Sequence, residues 1–348
     1  MRRFLIIASS ILIAFCLYWL LGSKSTARYQ SVGGATAIEW LTMRFNEEPF
    51  PEIDPADIKS ITQPANLALI NSITVSPRAT WLGHATMLVQ YRGINFLTDP
   101  HLTSRPAPID FGVQKRQVAP AISFKDMPKI DFIVISHNHY DHLDHRTVDM
   151  FANSVTWYVP MGLKSWFLDR GIRSDKVIEL EWWQSAQYNK EVQITFAPSV
   201  HWSKRTPWDT NQSHWGSWSV KIADFNAWFG GDTAYDQAMF QEIGLKLGPY
   251  NMAFIPIGAY APRYFMQRQH IDPEQAVKIH QDIKSEFSIP IHWGTFQLTQ
   301  EPYLEPVLLL KRQLNLQHIN LSDFSPIKIG QSVTANSKPN STAKNPNQ

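Results

Sequence analysis

The sequence predicts an α/β domain preceded by an apolar amino-terminal segment, and three observations carry that prediction. Short runs of buried-type residues recur along the chain, and several end abruptly in His or Asp. Helical stretches fall between these runs, the usual sign of a sheet covered by helices. Arg2 and Arg3 precede an uncharged run from Phe4 to Gly22, close to the roughly 20 residues that span a bilayer.

At 348 residues, with 44% hydrophobic and 18% charged, the chain suffices for one large domain or two small ones. A net charge of +2 gives no basis for a nucleic-acid partner. Cys16 is the single cysteine, so no intramolecular disulfide forms and any metal site uses His, Asp and Glu.

The segment 1–22 reads as an uncleaved single-pass anchor, because bulky Tyr18-Trp19-Leu20-Leu21 stands where a signal peptidase needs small residues. Arg2 and Arg3 on the cytoplasmic side place the remainder on the non-cytoplasmic side. Residues 23–74 read as a linker. Within it, Ile38, Leu41, Met43 and Phe45 make a loose amphipathic stripe, suited to a helix on the main domain or on a membrane surface.

The main domain is expected over 75–325. Trp81 to Val89 gives a turn and a strand, and Ile94 to Thr98 gives another, joined through Arg92-Gly93 and ending in Asp99-Pro100. Phe132-Ile133-Val134-Ile135 is a core strand closed by Ser136, and His137-Asn138-His139-Tyr140-Asp141-His142 begins where it stops. A turn after that strand gathers the three imidazoles and the carboxylate around one point, as zinc and related ions require. Later strands behave alike. Val192–Ala197 runs towards His201, Ala227–Phe229 into Gly230-Gly231-Asp232, and Ile289–Ile291 into His292; Met252–Ile257 leads to Gly258. Helices are expected over 163–170, 235–246 and 273–286, the last with Asp272 as N-cap, Pro273 at the first position and Gln275 completing the cap. Residues 326–348 read as a disordered tail rich in Ser, Asn, Lys and Pro.

With these residues placed, the chain resembles the metallo-β-lactamase superfamily, through His137 to His142 and the single residues His201, Asp232 and His292. It is similar, more closely, to the N-acyl-phosphatidylethanolamine-hydrolysing phospholipase D family. That likeness rests on Trp81-Leu82-Gly83-His84-Ala85-Thr86, Ile135 to Asp144, His214-Trp215-Gly216-Ser217-Trp218-Ser219, Ile255-Pro256-Ile257-Gly258-Ala259-Tyr260 and Ile291-His292-Trp293-Gly294-Thr295-Phe296. The resemblance implies an αββα sandwich with two zinc ions, iron or manganese being alternatives. His137, His139 and His201 would hold one ion, Asp141, His142 and His292 the other, and Asp232 would bridge them. The implied reaction converts N-acyl-phosphatidylethanolamine to N-acylethanolamine and phosphatidic acid. Rival readings are a lactonase or another phosphodiesterase on the same scaffold, or a lipid-binding protein that holds metal without turnover. The expected partner is membrane phospholipid, and a homodimer is compatible with the sequence.

Around this set, Asp141, Asp232 and His270 are the expected catalytic groups. His270 lies on a loop before a helix start, where phosphate is favoured. Asp99 is expected to orient a ligand His, with His84 in a similar supporting place. Lys204, Arg205 and Arg263 are expected to steer anionic head groups. His280 falls on the apolar stripe of Ala276, Ile279, Ile283 and Phe287 and reads as core, while His145 reads as solvated. Trp182, Trp183, Trp202, Trp208 and Trp215 are expected near the cleft, as core packing, acyl groove or interfacial belt.

Overall fold

The computed structural model describes residues 50–107, 115–206 and 208–335. The apolar run Phe4–Gly22, the amphipathic stretch 35–45 and the tail beyond 335 lie outside the described residues. Among the described residues, no helix is long and apolar enough to cross a membrane.

Two sheets form the body. The first contains β1 (Arg78–Gly83), β2 (Thr86–Tyr91), β3 (Ile94–Thr98), β4 (Phe132–Val134), β5 (Thr156–Pro160) and β6 (Val177–Leu180). The second contains β7 (Ser185–Asn189), β8 (Val192–Ala197), β9 (Ser217–Ile222), β10 (Phe225–Phe229), β11 (Met252–Pro256) and β12 (Ser288–Ile291). A last strand, β13 (Ser332–Thr334), completes the first sheet, whose order is β13-β1-β2-β3-β4-β5-β6; the second runs β12-β11-β10-β9-β8-β7. Alternation along the strands explains the layering. In β4, Phe132 and Val134 join the core shared by both sheets, while Ile133 and, just beyond, Ile135 join a second core on the other face. That second core is closed by Val148 and Phe151 of α3 (His145–Phe151) and Phe167 of α4 (Lys164–Leu168). On the second sheet, Phe240 and Ile243 of α5 (Gln237–Lys246) and Ala276, Val277 and Ile279 of α7 (Pro273–Asp282) are buried in the same way. Helix, sheet, sheet and helix follow one another as expected.

The capping signal at 272–275 is realised. Asp272 Oδ1 accepts from Gln275 N at 2.9 Å, and the Gln275 side chain receives the Asp272 amide at 3.4 Å. His280, on the inner face of α7, is buried and bonds Ser288 Oγ at 2.8 Å through Nδ1.

Both expected domain edges need correction. Within the expected linker, α1 (Pro55–Ser60) is capped by Asp54, whose side chain accepts from Ala56 N at 2.7 Å, and α2 (Leu67–Ile70) follows. Ile61 and Ile70 are buried. Pro55 at the first helical position is a helix signal that a proline-rich stretch conceals. Within the expected tail, Ile327 and Ile329 are buried and β13 pairs antiparallel with β1, Thr80 opposite Ser332. The body therefore extends over 326–335. Both edges are fixed by pairing with distant chain, including Thr62 with Ile329, and local composition carries no trace of that.

The direction of the strands places the site. β3, β4, β10, β11 and β12 run parallel within their sheets, and the residues after β3, β4, β10 and β12 are Asp99, Ser136-His137, Asp232 and His292. Ligand sites in α/β folds lie beyond the carboxyl ends of such strands.

Candidate metal centre

Two clusters of ligand atoms meet at these strand ends. One comprises His137, His139, His201 and Asp232; the other comprises His84, Asp141, His142 and His292, and in each all ligand atoms lie within 4.8 Å of one another. In the first, His137 Nε2 stands 2.8 Å from His139 Nδ1, which is 3.3 Å from His201 Nε2. In the second, His142 Nε2 and His292 Nε2 are 3.2 Å apart, and Asp141 Oδ2 lies 3.3 Å and 3.4 Å from them. Asp232 spans both. Its Oδ2 is 3.1 Å from His142 Nε2 and 3.8 Å from both His137 and His201, while Oδ1 is 3.2 Å from His292 Nε2. All seven expected ligands are thus brought together. Buried imidazole nitrogens that face one another at hydrogen-bond distance, with two carboxylates among them, fit divalent cations by donor type and number.

The backbone at this site is special. Asp99 (φ 32°), His292 (φ 61°) and His84 (φ 52°) all lie in the left-handed region, which non-glycine residues enter at a cost and which clusters at functional sites. Gly231 (φ +58°) lets the strand-end turn approach the tetrad, since a Cβ there would meet Ser136 Cβ at 2.5 Å.

Supporting residues hold the rings. His142 Nδ1 donates to Asp99 Oδ2 at 2.6 Å. Ser136 Oγ donates to the same oxygen at 2.5 Å and accepts from His137 Nδ1 at 2.9 Å. His84 Nε2 donates to Asp141 Oδ2 at 3.0 Å, and His201 Nδ1 donates to the Gln269 carbonyl at 2.9 Å. Asp99 thus bonds a candidate ligand imidazole and His84 a candidate ligand carboxylate, the places in which the sequence put them. Ser136 was legible only as a strand terminator. Glu301 carried no signal, yet its carboxylate receives Ala259 N at 2.6 Å and Ala261 N at 3.1 Å and fixes the wall after β11.

Electrostatics divide the clusters. Burial pulls the His137 and His139 imidazoles well below the usual His range, and burial brings His201 to about 4. Burial also opposes the charged forms of His142 and His292. There Asp232 and Asp141 prevail, holding His142 well above the usual range and His292 at about 9. Burial would raise Asp141 and Asp232, but the surrounding imidazoles hold both well below the usual carboxylate range.

A cleft of about 590 Å³ opens beside Asp232, His139 and His270, walled by Trp202, Phe265 and Leu298, a size suited to a small-molecule ligand. His270 Nδ1 is 3.9 Å from Asp232 Oδ2, and burial lowers its imidazole to about 3. Lys204 lines the same cleft. Arg205 lines it as well, but its guanidinium is engaged with the backbone and a ring, and Arg263 is engaged elsewhere. Arg205 Nη1 donates to the carbonyls of Asn138 and Leu143 at 2.9 and 2.6 Å, and its guanidinium lies 4.1 Å over the Tyr140 ring. It ties the tetrad turn together. Arg263 is engaged with Asp272, His270 and Gln275. Among the tryptophans, Trp202 reaches the cleft, Trp215 is buried and Trp208 is 55% exposed.

The sequence profile of the Beta-lactamase superfamily domain matches residues 94–293. The chain is 41% identical over 261 residues to N-acyl-phosphatidylethanolamine-hydrolyzing phospholipase D 1 of Caenorhabditis elegans, covering 72% of this chain and 73% of that one. It belongs to that family, within the metallo-β-lactamase superfamily. The mitochondrial N-acyl-phosphatidylethanolamine-hydrolyzing phospholipase D of Saccharomyces cerevisiae is 35% identical over 65% of this chain, which spans about half (49%) of the yeast protein. Among solved structures, a metallo hydrolase of Ignicoccus hospitalis shares the fold at a TM-score of 0.56 and 18% identity, over 74% of this chain and 98% of that one. The metallo-β-lactamase α/β fold and a metal-dependent hydrolase family are thereby established for this chain.

Proposed function

We propose that this chain is a dizinc phosphodiesterase of phospholipase D type, acting on N-acyl-phosphatidylethanolamine in a membrane. The observation that carries the reading is the Asp232 carboxylate, which lies between two imidazole clusters and opens onto a cleft with apolar walls. His137, His139 and His201 would hold one ion, Asp141, His142 and His292 the other, and Asp232 both. Paired divalent ions supply an activated water and neutralise charge on a phosphodiester.

The chain's own residues do the rest. Lys204, on the cleft wall, offers charge to the phosphate. His270, neutral at pH 7 because burial lowers it to about 3, offers one N–H to a phosphate oxygen or to the departing oxygen. Trp202, Phe265 and Leu298 give acyl chains an apolar wall. Water adds to phosphorus, the bond from phosphorus to the ethanolamine oxygen breaks, and N-acylethanolamine and phosphatidic acid leave. The run Phe4–Gly22 would anchor the domain to the membrane that carries its substrate, on the non-cytoplasmic side.

The test offers purified protein an N-acyl-phosphatidylethanolamine, a lactone and a model phosphodiester in ¹⁸O-water, with products read by mass spectrometry. The expected result is ¹⁸O in phosphatidic acid and turnover that follows zinc content. Lactone turnover with an inert phospholipid would overturn the reading.

A further inference from the structure

The loop that carries His270 is held on both sides: towards the cleft, His201 Nδ1 donates to the Gln269 carbonyl at 2.9 Å, and a second set of bonds lies outside it. The loop joins α6 (Arg263–Met266) to α7, and its first half is held by the Met266 carbonyl, which receives Gln269 N at 3.0 Å and His270 N at 2.9 Å. Among the described residues the His270 ring makes no hydrogen bond; its nearest acidic atom is Asp232 Oδ2 at 3.9 Å. The ring packs beside those of His201 and His292, at centroid distances of 5.3 and 5.6 Å, so its place depends on those neighbours and on where its backbone is held. On the far side the backbone meets a single side chain. Arg263 Nη1 donates to the His270 carbonyl at 2.7 Å, Nη2 to Gln275 Oε1 at 2.5 Å, and Nε lies 3.0 Å from Asp272 Oδ2. Asp272 and Gln275 are the two members of the α7 capping box.

We propose that Arg263 is a positioning residue for His270: its guanidinium locks the His270 carbonyl to the capped end of α7 and so fixes where the imidazole stands in the cleft. Each guanidinium nitrogen is already engaged, which leaves no fork for an anionic head group. The planar fork matches acceptors on three residues at once, whereas a lysine ammonium is a point charge on a flexible stem and cannot span them. Arg263 and its Asp272 partner are 31% and 28% exposed, so the contact contributes geometry more than stability. This inference rests on the reading that His270 assists turnover.

The experiment compares Arg263→Ala, Arg263→Lys, His270→Ala and the double variant Arg263→Ala/His270→Ala in the full chain. The measurements are turnover of N-acyl-phosphatidylethanolamine, metal content and amide hydrogen exchange. Displacing a group by a fraction of its size lowers rate by up to about a hundredfold. The expected result is a turnover number down about tenfold to a hundredfold in both Arg263 variants, with KM and metal content unchanged. Methylguanidinium should restore part of the rate to Arg263→Ala. Exchange should quicken at residues 267–272 and stay slow in the sheets. The double variant should be no slower than His270→Ala, because Arg263 acts only through that ring. Losses that multiply in the double variant, or a raised KM with an intact turnover number, would overturn the proposal. If His270→Ala keeps the full rate, the role of His270 falls; hydrogen exchange then decides on Arg263, and unchanged protection at 267–272 would sink it as well.

Discussion

The two ligand clusters share Asp232 and differ in what stands behind them. Behind His142 and Asp141 are a carboxylate and an imidazole in direct contact: Asp99 at 2.6 Å and His84 at 3.0 Å. Behind His137 and His201 are neutral oxygens, Ser136 Oγ and the Gln269 carbonyl. A carboxylate partner makes an imidazole a stronger ligand than a hydroxyl or carbonyl does. Charge separates them further, since Asp141 belongs to the second cluster and the first has only imidazoles besides the shared Asp232. A site with two occupants therefore need not bind them equally, and the cluster with direct carboxylate support should fill first and empty last.

The largest effect should come from the shared residue. Asp232→Asn keeps the shape but removes the charge that both clusters use, and turnover should fall to background while metal content drops below two per chain. Full turnover with two ions bound would end the bridging assignment. Next, Asp99→Asn should weaken the second cluster ten- to a hundredfold in metal affinity, about the effect of losing a carboxylate behind a metal-binding imidazole. Competition with a graded chelator should then show the order of loss reversed, and an unaltered order would refute the comparison. Ser136→Ala should weaken the first cluster by a smaller factor, about three- to tenfold for a neutral hydrogen bond, read in the same titration. An effect equal to that of Asp99→Asn would show that the hydroxyl acts mainly by relaying Asp99.

The smallest prediction concerns His280, remote from both clusters. Burial lowers it to about 4, below the ordinary value of 6.5. The unfolded chain then binds more protons between those values, so this contribution to stability is complete above pH 6.5 and is lost as pH falls towards 4. It amounts to at most about 3 kcal/mol. Urea midpoints of the chain and of His280→Asn at pH 7 and pH 5 should converge at the lower pH. Parallel lines would exclude His280 from acid sensitivity.

How legible the clusters were follows the same division. The tetrad at 137–142 announces itself, because one strand end carries four candidate ligands within six residues. His201, Asp232 and His292 stand alone, each after its own strand, and only the repeated strand-then-polar pattern and the family likeness single them out. Asp99 was visible for that reason too. Ser136 and Glu301 were not, since a hydroxyl that meets a carboxylate 37 residues away, or a carboxylate that holds backbone 40 and 42 residues away, leaves no local pattern. The partners of Arg205 and Arg263 were not legible either: Arg205 lines the cleft and also ties two carbonyls of the 137–143 turn, while Arg263 is held by the capping box of α7. In the fold, apolar strands such as β4 and β12 were readable. β7 was not, because alternate residues of this polar strand face solvent, and β13 is three residues long and exists only beside β1.

That late strand has a practical consequence. Ile329 N donates to the Ile61 carbonyl and its own carbonyl accepts from Gln63 N, each within 2.9 Å, so the chain enters and leaves the body through one seam. A fluorescent protein or affinity handle fused behind residue 335 would leave the body from β13, close to the seam that Ile329 makes with residues 61–63. Trimming the polypeptide at 325 would remove Ile329 and β13 together, leaving the Ile61 carbonyl, Gln63 N and the free edge of β1 without these partners.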